Sequence, residues 1–280
     1  MIFHISHNDL DGVGCGILVK AAFPSVKTVY IGYDELNSVL DNIPPEAESI
    51  IVTDLSPSES WAERMAGERE LLIIDHHITS EPLKKYPFTY HSIAKCATLL
   101  TWDKLTEDGA VLSDYKDFAD CINDYDLWLM RRTDSLRMNT LFTLMGLKRV
   151  EKRFLSQPYA GFTQEEELII TLEEERRNAY IDRAFKNTSY ITDKKGRRVA
   201  VVFAEQYSSE LGNHILTVSD AEYVVLIDAQ RKKVSLRSIR EVDISPIAQT
   251  LGGGGHKNAA GFQFRQVEDL AEMLSTWDII

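Results

Sequence analysis

The chain has 280 residues, 43 acidic and 31 basic side chains, a formal charge of −12 and 44% hydrophobic residues. This balance excludes a disordered or fibrous chain, and the length admits one large domain or two of medium size. An acidic chain of this kind lacks the broad basic face that coats long duplexes, but it is compatible with a short phosphorylated ligand at a local positive site. No apolar run reaches the roughly 18–20 residues that span a bilayer. The start carries no basic, apolar export signal, so a cytoplasmic location without a membrane partner is expected. Cys15, Cys96 and Cys121 show no C-x-x-C spacing, which argues against a disulfide framework or zinc ribbon and for small buried core residues.

In chain order, Met1–Ser6, Lys27–Ile31, Ser49–Thr53 and Glu70–Ile74 read as buried, nearly continuous apolar strands. Gly16–Ala22, Asp34–Asn42 and Ser58–Gly67 read as the helices between them. Strand–helix alternation predicts a parallel α/β sheet. Helices over Ala94–Leu105 and Tyr115–Trp128 would cover it. Thr163–Lys186 reads as a long charged helix opened by a Thr163/Glu166 capping box, a connector with a solvated face. The pattern then restarts. Strands are predicted over Arg197–Ala204, Tyr223–Asp228 and Lys233–Ser238, helices over Tyr207–Ser219 and Ser245–Leu251. A glycine run, Gly252–Gly255, precedes His256, and a short strand follows Ala259-Ala-Gly261. The expected organisation is an N-terminal parallel-sheet domain over 1–155, a helical connector over 156–192, and a smaller mixed-sheet α/β domain over 193–280.

Three predicted strands run directly into acidic and histidine residues. These are His7-Asn-Asp9-Leu-Asp11-Gly12, Thr53-Asp54 and Asp75-His76-His77. In open α/β sheets the carboxyl ends of strands meet at one edge, where ligands bind. Carboxylates gathered there repel one another unless protons or cations compensate. At neutral pH divalent ions are the simpler answer. An Asp-x-Asp pair can serve two adjacent ions, a further Asp can bridge them, and a mixed Asp/His shell suits Mn²⁺, Fe²⁺, Co²⁺ or Zn²⁺ better than Mg²⁺.

Together with the distal Gly252-Gly-Gly-Gly-His256, these motifs, in this order across nearly the whole chain, resemble the DHH phosphoesterase superfamily with its DHH-associated C-terminal domain. The opening SHNDLDGVGCG is most similar to the nanoRNase branch, related to RecJ exonucleases and to phosphatases of adenosine bisphosphate. The resemblance implies a binuclear centre, usually of manganese. His7 and Asp9 would hold one ion and Asp11 the other, with Asp54 bridging both. His76 would bind the second ion, His77 would face the scissile phosphate, and Asp75 would orient the histidine pair. One more aspartate is expected from a helix end: Asp124 is favoured, Asp126 the alternative. Phosphatase-type members carry Asp-Thr-Gly where Asp124-Tyr-Asp126 stands here.

Gly253, Gly254, Gly255 and His256 would offer backbone and imidazole donors to a phosphate. Arg237, with Ser238 beside it, looks like the family's substrate-facing arginine. The implied activity is hydrolysis of short oligoribonucleotides to nucleoside 5′-monophosphates by a water activated between two metal ions, with the second domain clamping the nucleotide across a cleft. Alternatives are a phosphatase of adenosine 3′,5′-bisphosphate, a phosphodiesterase of cyclic mono- or dinucleotides, or a non-catalytic nucleotide-binding scaffold. A homodimer is compatible with the family. His4 is expected to be a satisfied core or face histidine and His214 a packing residue; His91 could reach the cleft, with a helix-cap or surface role favoured.

Overall fold

The apolar runs of the N-terminal half form strands in a computed structural model, which describes residues 1–266 together with Asp269 and Ser275. The first compact unit spans Met1–Thr171. It alternates β1 (Ile2–His7), α1 (Leu10–Ala22), β2 (Lys27–Ile31), α2 (Leu36–Asp41), β3 (Ser49–Thr53), α3 (Glu59–Glu68), β4 (Glu70–Asp75) and β5 (Thr89–His91). Helices α4 (Ala97–Glu107), α5 (Lys116–Asp126), α6 (Ser135–Met145) and α7 (Leu147–Ser156) follow. The sheet order is β2-β1-β3-β4-β5, and every pairing is parallel. All five strands therefore end at one edge.

Alternate strand residues face opposite helical layers, as the period of two requires. Ile51 and Leu72 pack with α1, α4 and α5, whereas Phe3, Ile5, Val52 and Ile73 pack with α2 and α3. His4 is fully buried on the central strand. Its Nε2 lies 2.8 Å from the Thr53 hydroxyl and its Nδ1 3.3 Å from that of Thr28. Burial, then Lys20, holds its pKa down at about 3, so it is a neutral hydrogen-bonding core residue, as expected.

α1 begins at Leu10, six residues before the predicted start. Asp9 caps it by accepting a hydrogen bond from the Gly12 amide at 3.0 Å. Gly12, Gly14 and Gly16 weaken the helical signal in sequence, yet they sit inside the helix for packing reasons. A Cβ on Gly12 would lie 2.2 Å from the His7 carbonyl oxygen. Gly12→Ala is therefore expected to cost about 1–3 kcal/mol of stability. It should also displace His7 and weaken divalent-ion binding. Denaturant titration and Mn²⁺ titration of the same variant check both.

α8 (Gln164–Lys186) carries the predicted capping box. The Thr163 amide donates to Glu166 Oε2 at 2.9 Å, and the Glu166 amide donates to the Thr163 hydroxyl at 3.2 Å. The chain divides into its two units within this helix, the second being Leu172–Ile280. That unit holds β6 (Ser189–Thr192), β7 (Arg198–Phe203), α9 (Ser208–Val218), β8 (Tyr223–Asp228), β9 (Lys233–Ser238), α10 (Ser245–Thr250), β10 (Gly254–His256) and β11 (Ala259–Gln263). Its sheet order is β10-β11-β9-β8-β7-β6, with only β7 and β8 parallel. α9 and the second half of α8 cover one face, α10 the other. The architecture is the anticipated pair of a parallel α/β sheet and a mixed one. No helix among the described residues is long and apolar enough to cross a membrane.

Candidate metal centre

The shared edge of the first sheet gathers seven side chains from three strand ends and one helix end. β1 supplies His7, the following turn Asp9 and Asp11, and β3 leads into Asp54. β4 leads into His76 and His77, and α5 supplies Asp126. Three sets of donor atoms are close enough to hold a cation: His7, Asp9 and Asp54; Asp11, His76 and Asp126; and Asp54, His76 and His77. His76 Nε2 lies 3.5 Å from Asp54 Oδ1, 3.6 Å from Asp126 Oδ2 and 3.7 Å from Asp11 Oδ2. These separations are too long for good hydrogen bonds. They match donor atoms around one ion, which at ligand distances of about 2.0–2.2 Å stand roughly 3.0–3.6 Å apart.

Asp54 is central. Its Oδ1 faces His76, while its Oδ2 lies 3.7 Å from His7 Nδ1. The two oxygens of one carboxylate thus address two different donor sets. The residue is 1% exposed and sits at φ +56°, a left-handed conformation uncommon for a non-glycine residue. Asp54 Oδ2 and His7 Nδ1 are buried and make no hydrogen bond, although His7 Nδ1 is also 2.9 Å from Asp9 Oδ2. Orphaned buried polar atoms are costly, and a divalent cation between them would satisfy both. The mixed Asp/His set fits such a cation.

The electrostatics agree. Burial, then the charges of Asp9 and Asp11, pushes the Asp54 carboxyl well above the ordinary carboxylate range. Asp126 moves the same way, through burial and then Asp11 and Asp9. At ion-pair distance Asp9, Asp54 and Asp126 meet imidazoles. A cluster in this state takes up either protons or cations.

The surrounding residues fix these donors. Asp11 accepts hydrogen bonds from the Ala97 and Thr98 amides at 2.8 Å each, so its carboxylate caps the start of α4. Asp75 is fully buried. Its Oδ1 accepts from the amides of His76 and His77 and lies 2.7 Å from His77 Nδ1, while its Oδ2 accepts from Ser56 and Ser80. Burial alone would raise its carboxyl, but His77 and the serine hydroxyls outweigh burial and bring it to about 2. Burial favours neutral His77, yet Asp75 outweighs it and lifts the imidazole above its ordinary pKa. Asp75 therefore orients His77 directly and His76 through the backbone.

Two expectations at this sheet edge are corrected. Asp126, not Asp124, lies in the cluster. Asp124 is 4% exposed and accepts hydrogen bonds from the Arg131 and Arg132 amides at 3.0 and 3.1 Å, so it receives the chain that folds back after α5. His91 neither caps α4 nor faces away. It ends β5 opposite Asp75, with its Nε2 2.9 Å from the His77 carbonyl oxygen. One residue was missed. Tyr33 follows β2, its ring centroid 4.3 Å from that of His7 and its hydroxyl 3.1 Å from His77 Nε2. The same-edge rule, applied to β2 as well as to the strands that end in aspartate, points to it.

In the second unit, Gly253 lies so close to β11 that a Cβ would sit 2.0 Å from the Gly261 carbonyl oxygen, and Gly255 has φ +135°. The run is therefore a built hairpin rather than a linker, with Gly254 and His256 exposed on β10. Arg237 packs over Gly212 and donates to the Leu236 carbonyl and the Ser209 hydroxyl at 2.8 Å each. Ser238 differs from expectation. It is buried, donates to the Val242 carbonyl at 2.7 Å and accepts from the Asn258 side-chain Nδ2 at 2.9 Å, so it shapes the turn instead of facing a ligand. His214 stands edge-on to Phe185 at 5.2 Å, the packing role expected of it.

A family model described as the DHHA1 domain matches residues 184–278. Oligoribonuclease NrnB of Bacillus subtilis strain 168 is 31% identical over 292 residues, covering 93% of this chain and 72% of NrnB. Among solved structures, the pGpG-specific phosphodiesterase PggH from Vibrio cholerae matches with a TM-score of 0.63 at 12% identity, over 99% of this chain and 97% of PggH. RecJ of Thermus thermophilus in complex with Mn²⁺ matches with a TM-score of 0.59 at 12% identity, over 99% of this chain and 52% of RecJ. These two likenesses show a shared fold. The identity to NrnB along almost the whole chain, the DHHA1 match and the strand-end motifs agree: the chain belongs to the DHH phosphoesterases, hydrolases of phosphoric esters, and carries their DHHA1 domain in its C-terminal part.

Proposed function

We propose that the protein is a metal-dependent exoribonuclease that hydrolyses short oligoribonucleotides to nucleoside 5′-monophosphates. The observation that carries this reading is the Asp54 carboxylate, whose two oxygens face separate donor sets. His7, Asp9 and Asp54 would hold one divalent ion. Asp11, His76, Asp126 and Asp54 would hold the second. Mn²⁺ suits the mixed oxygen and imidazole set. A bound pair of such ions supplies an acidified water and neutralises charge on the phosphoryl oxygens.

The chain's own residues do the rest. Asp75 keeps a proton on His77 Nδ1 and fixes the ring, so the imidazole can stabilise charge on a phosphate held at the cluster. In the second unit Arg237, the Gly253–Gly255 backbone and His256 are the anion-binding groups. The likeness to NrnB supports an oligoribonucleotide as the substrate.

The test is digestion of labelled two- to five-nucleotide RNA with Mn²⁺, beside adenosine 3′,5′-bisphosphate and cyclic dinucleotides. Short RNA should be cleared to 5′-monophosphates fastest. EDTA should stop turnover, and saturating Mn²⁺ should raise Tm by roughly 5–10 °C. Undiminished turnover in EDTA would overturn the metal assignment. A preference for adenosine bisphosphate or a cyclic dinucleotide would replace the substrate.

A further inference from the structure

Beside the metal centre the first unit carries a cavity of about 390 Å³ whose walls come from the segments after β2, β3 and β4. Tyr33, Leu36 and Asn37 form one side, Ser56 another, and Thr79 with Leu83 a third. Its size is that of a small-molecule site. Two of these residues also touch the sheet edge, and a third joins them through Ser56. The Tyr33 hydroxyl meets His77 Nε2, the Ser56 hydroxyl donates to Asp75 Oδ2 at 2.7 Å, and the Thr79 hydroxyl lies 2.7 Å from that of Ser56. A ligand group seated in the cavity is thus next to His77.

The lining selects the chemistry of that group. It contains no lysine or arginine among the described residues, and its Glu59 carboxylate is already ion-paired with Lys85, so no free cation faces the cavity. A phosphate is therefore disfavoured there. The exposed Pro82 offers apolar surface, backed by the buried Leu36, Leu83 and Pro57. The Tyr33 ring, 55% exposed, offers an aromatic face, and the exposed Asn37 side chain offers one donor and one acceptor edge. Apolar walls, a stacking ring and a single amide make a site for a flat, neutral heteroaromatic group. Bases stack on aromatic side chains irrespective of sequence, and asparagine can pair with a base edge.

We infer that this cavity takes the nucleobase of the nucleotide whose phosphate lies at the metal centre, with Tyr33 as its stacking face and Asn37 on its edge. The inference rests on the oligoribonucleotide reading above and adds where the base is held.

The experiment compares pApA with its two singly abasic analogues under Mn²⁺, in wild type and in Asn37→Trp, which fills the cavity from an exposed position. Loss of one of the two bases should raise KM about tenfold in wild type and have no further effect in Asn37→Trp. Tyr33→Phe should keep this base dependence, and Tyr33→Ala should lose it. An equal abasic penalty in wild type and Asn37→Trp overturns the pocket while leaving the nuclease reading standing. Failure of wild type to cleave pApA overturns that reading instead. The pocket is then decided by titrating adenosine, which carries no phosphate for the metal-free carboxylates to repel. Binding that Asn37→Trp weakens about tenfold upholds it. Binding that is equal in the two proteins, or absent from both, overturns it.

Discussion

Replacing Asp54 by asparagine is expected to lower turnover by at least roughly 10³-fold, about 4 kcal/mol of transition-state stabilisation, while raising the thermal stability of the metal-free protein. The two effects have opposite signs because, on the proposed reading, Asp54 serves a cation and not the fold. Its side chain is buried, Oδ2 has no hydrogen-bond partner, and its charge is opposed by Asp9, Asp11 and Asp126. Asparagine is nearly isosteric, removes that charge and tolerates the φ of +56° better than most residues. A gain of about 1 kcal/mol would appear as a rise of roughly 2–4 °C in Tm.

The pH dependence has a defined sign. The folded, metal-free protein holds the Asp54 proton more tightly than the unfolded chain, whose carboxyl titrates near about 3.9. The stabilisation this group contributes is full below that value and is lost as pH rises through the raised folded pKa. Melting curves of metal-free wild type and Asp54→Asn should therefore converge near pH 4 and separate as pH rises, the variant being the more stable. Mn²⁺ should raise Tm strongly in wild type and weakly in the variant. A variant that is destabilised without metal, or that keeps the full Mn²⁺ shift, would remove Asp54 from the centre of the site.

The elements of the sheet were legible because parallel strands buried on both faces must be nearly continuous apolar runs. Ser49–Thr53, for example, matches its predicted bounds at both ends. The site was legible for a related reason: strands that share a direction share an end, so aspartates after β1 and β3 and the histidine pair after β4 imply one cluster. β5 was not, because three residues are too short to show a period. Its loss hid His91. The predicted start of α1 falls late because its glycines serve close packing against β1, Thr98 and Tyr30, which propensity does not register. Tyr33 carries no charge and so gives no signal of the kind that marks the strands ending in carboxylates.

The remaining error, Asp124 for Asp126, concerns two residues on one helix and yields a discriminating pair of variants. Successive helical residues turn roughly 100°, so the two carboxylates point about 200° apart and only one can reach the sheet edge. The amphipathic pattern of α5 does not choose between them, since its buried face, with Phe118, Cys121 and Ile122, also includes Asp124. The choice is made beyond the helix. Trp128 and Met130 take positive φ, the Leu129 amide donates to the Asp124 carbonyl at 2.9 Å, and the amides of Arg131 and Arg132 close on the Asp124 carboxylate. Asp126 is left with His76 at 3.6 Å. Asp124→Ala should then cost about 1–3 kcal/mol by stranding two amides, a fall of roughly 5 °C in Tm. Its kcat at low temperature should stay close to that of wild type. Asp126→Asn should do the reverse, lowering kcat/KM by roughly 10²–10³, about 3–4 kcal/mol, and weakening Mn²⁺ binding with Tm of the metal-free protein unchanged or raised. Burial and then the charges of Asp11 and Asp9 disfavour the Asp126 carboxylate when no ion is present, and the neutral amide lifts that burden. Loss of turnover in Asp124→Ala at full stability, with Asp126→Asn active, would return the ligand to Asp124.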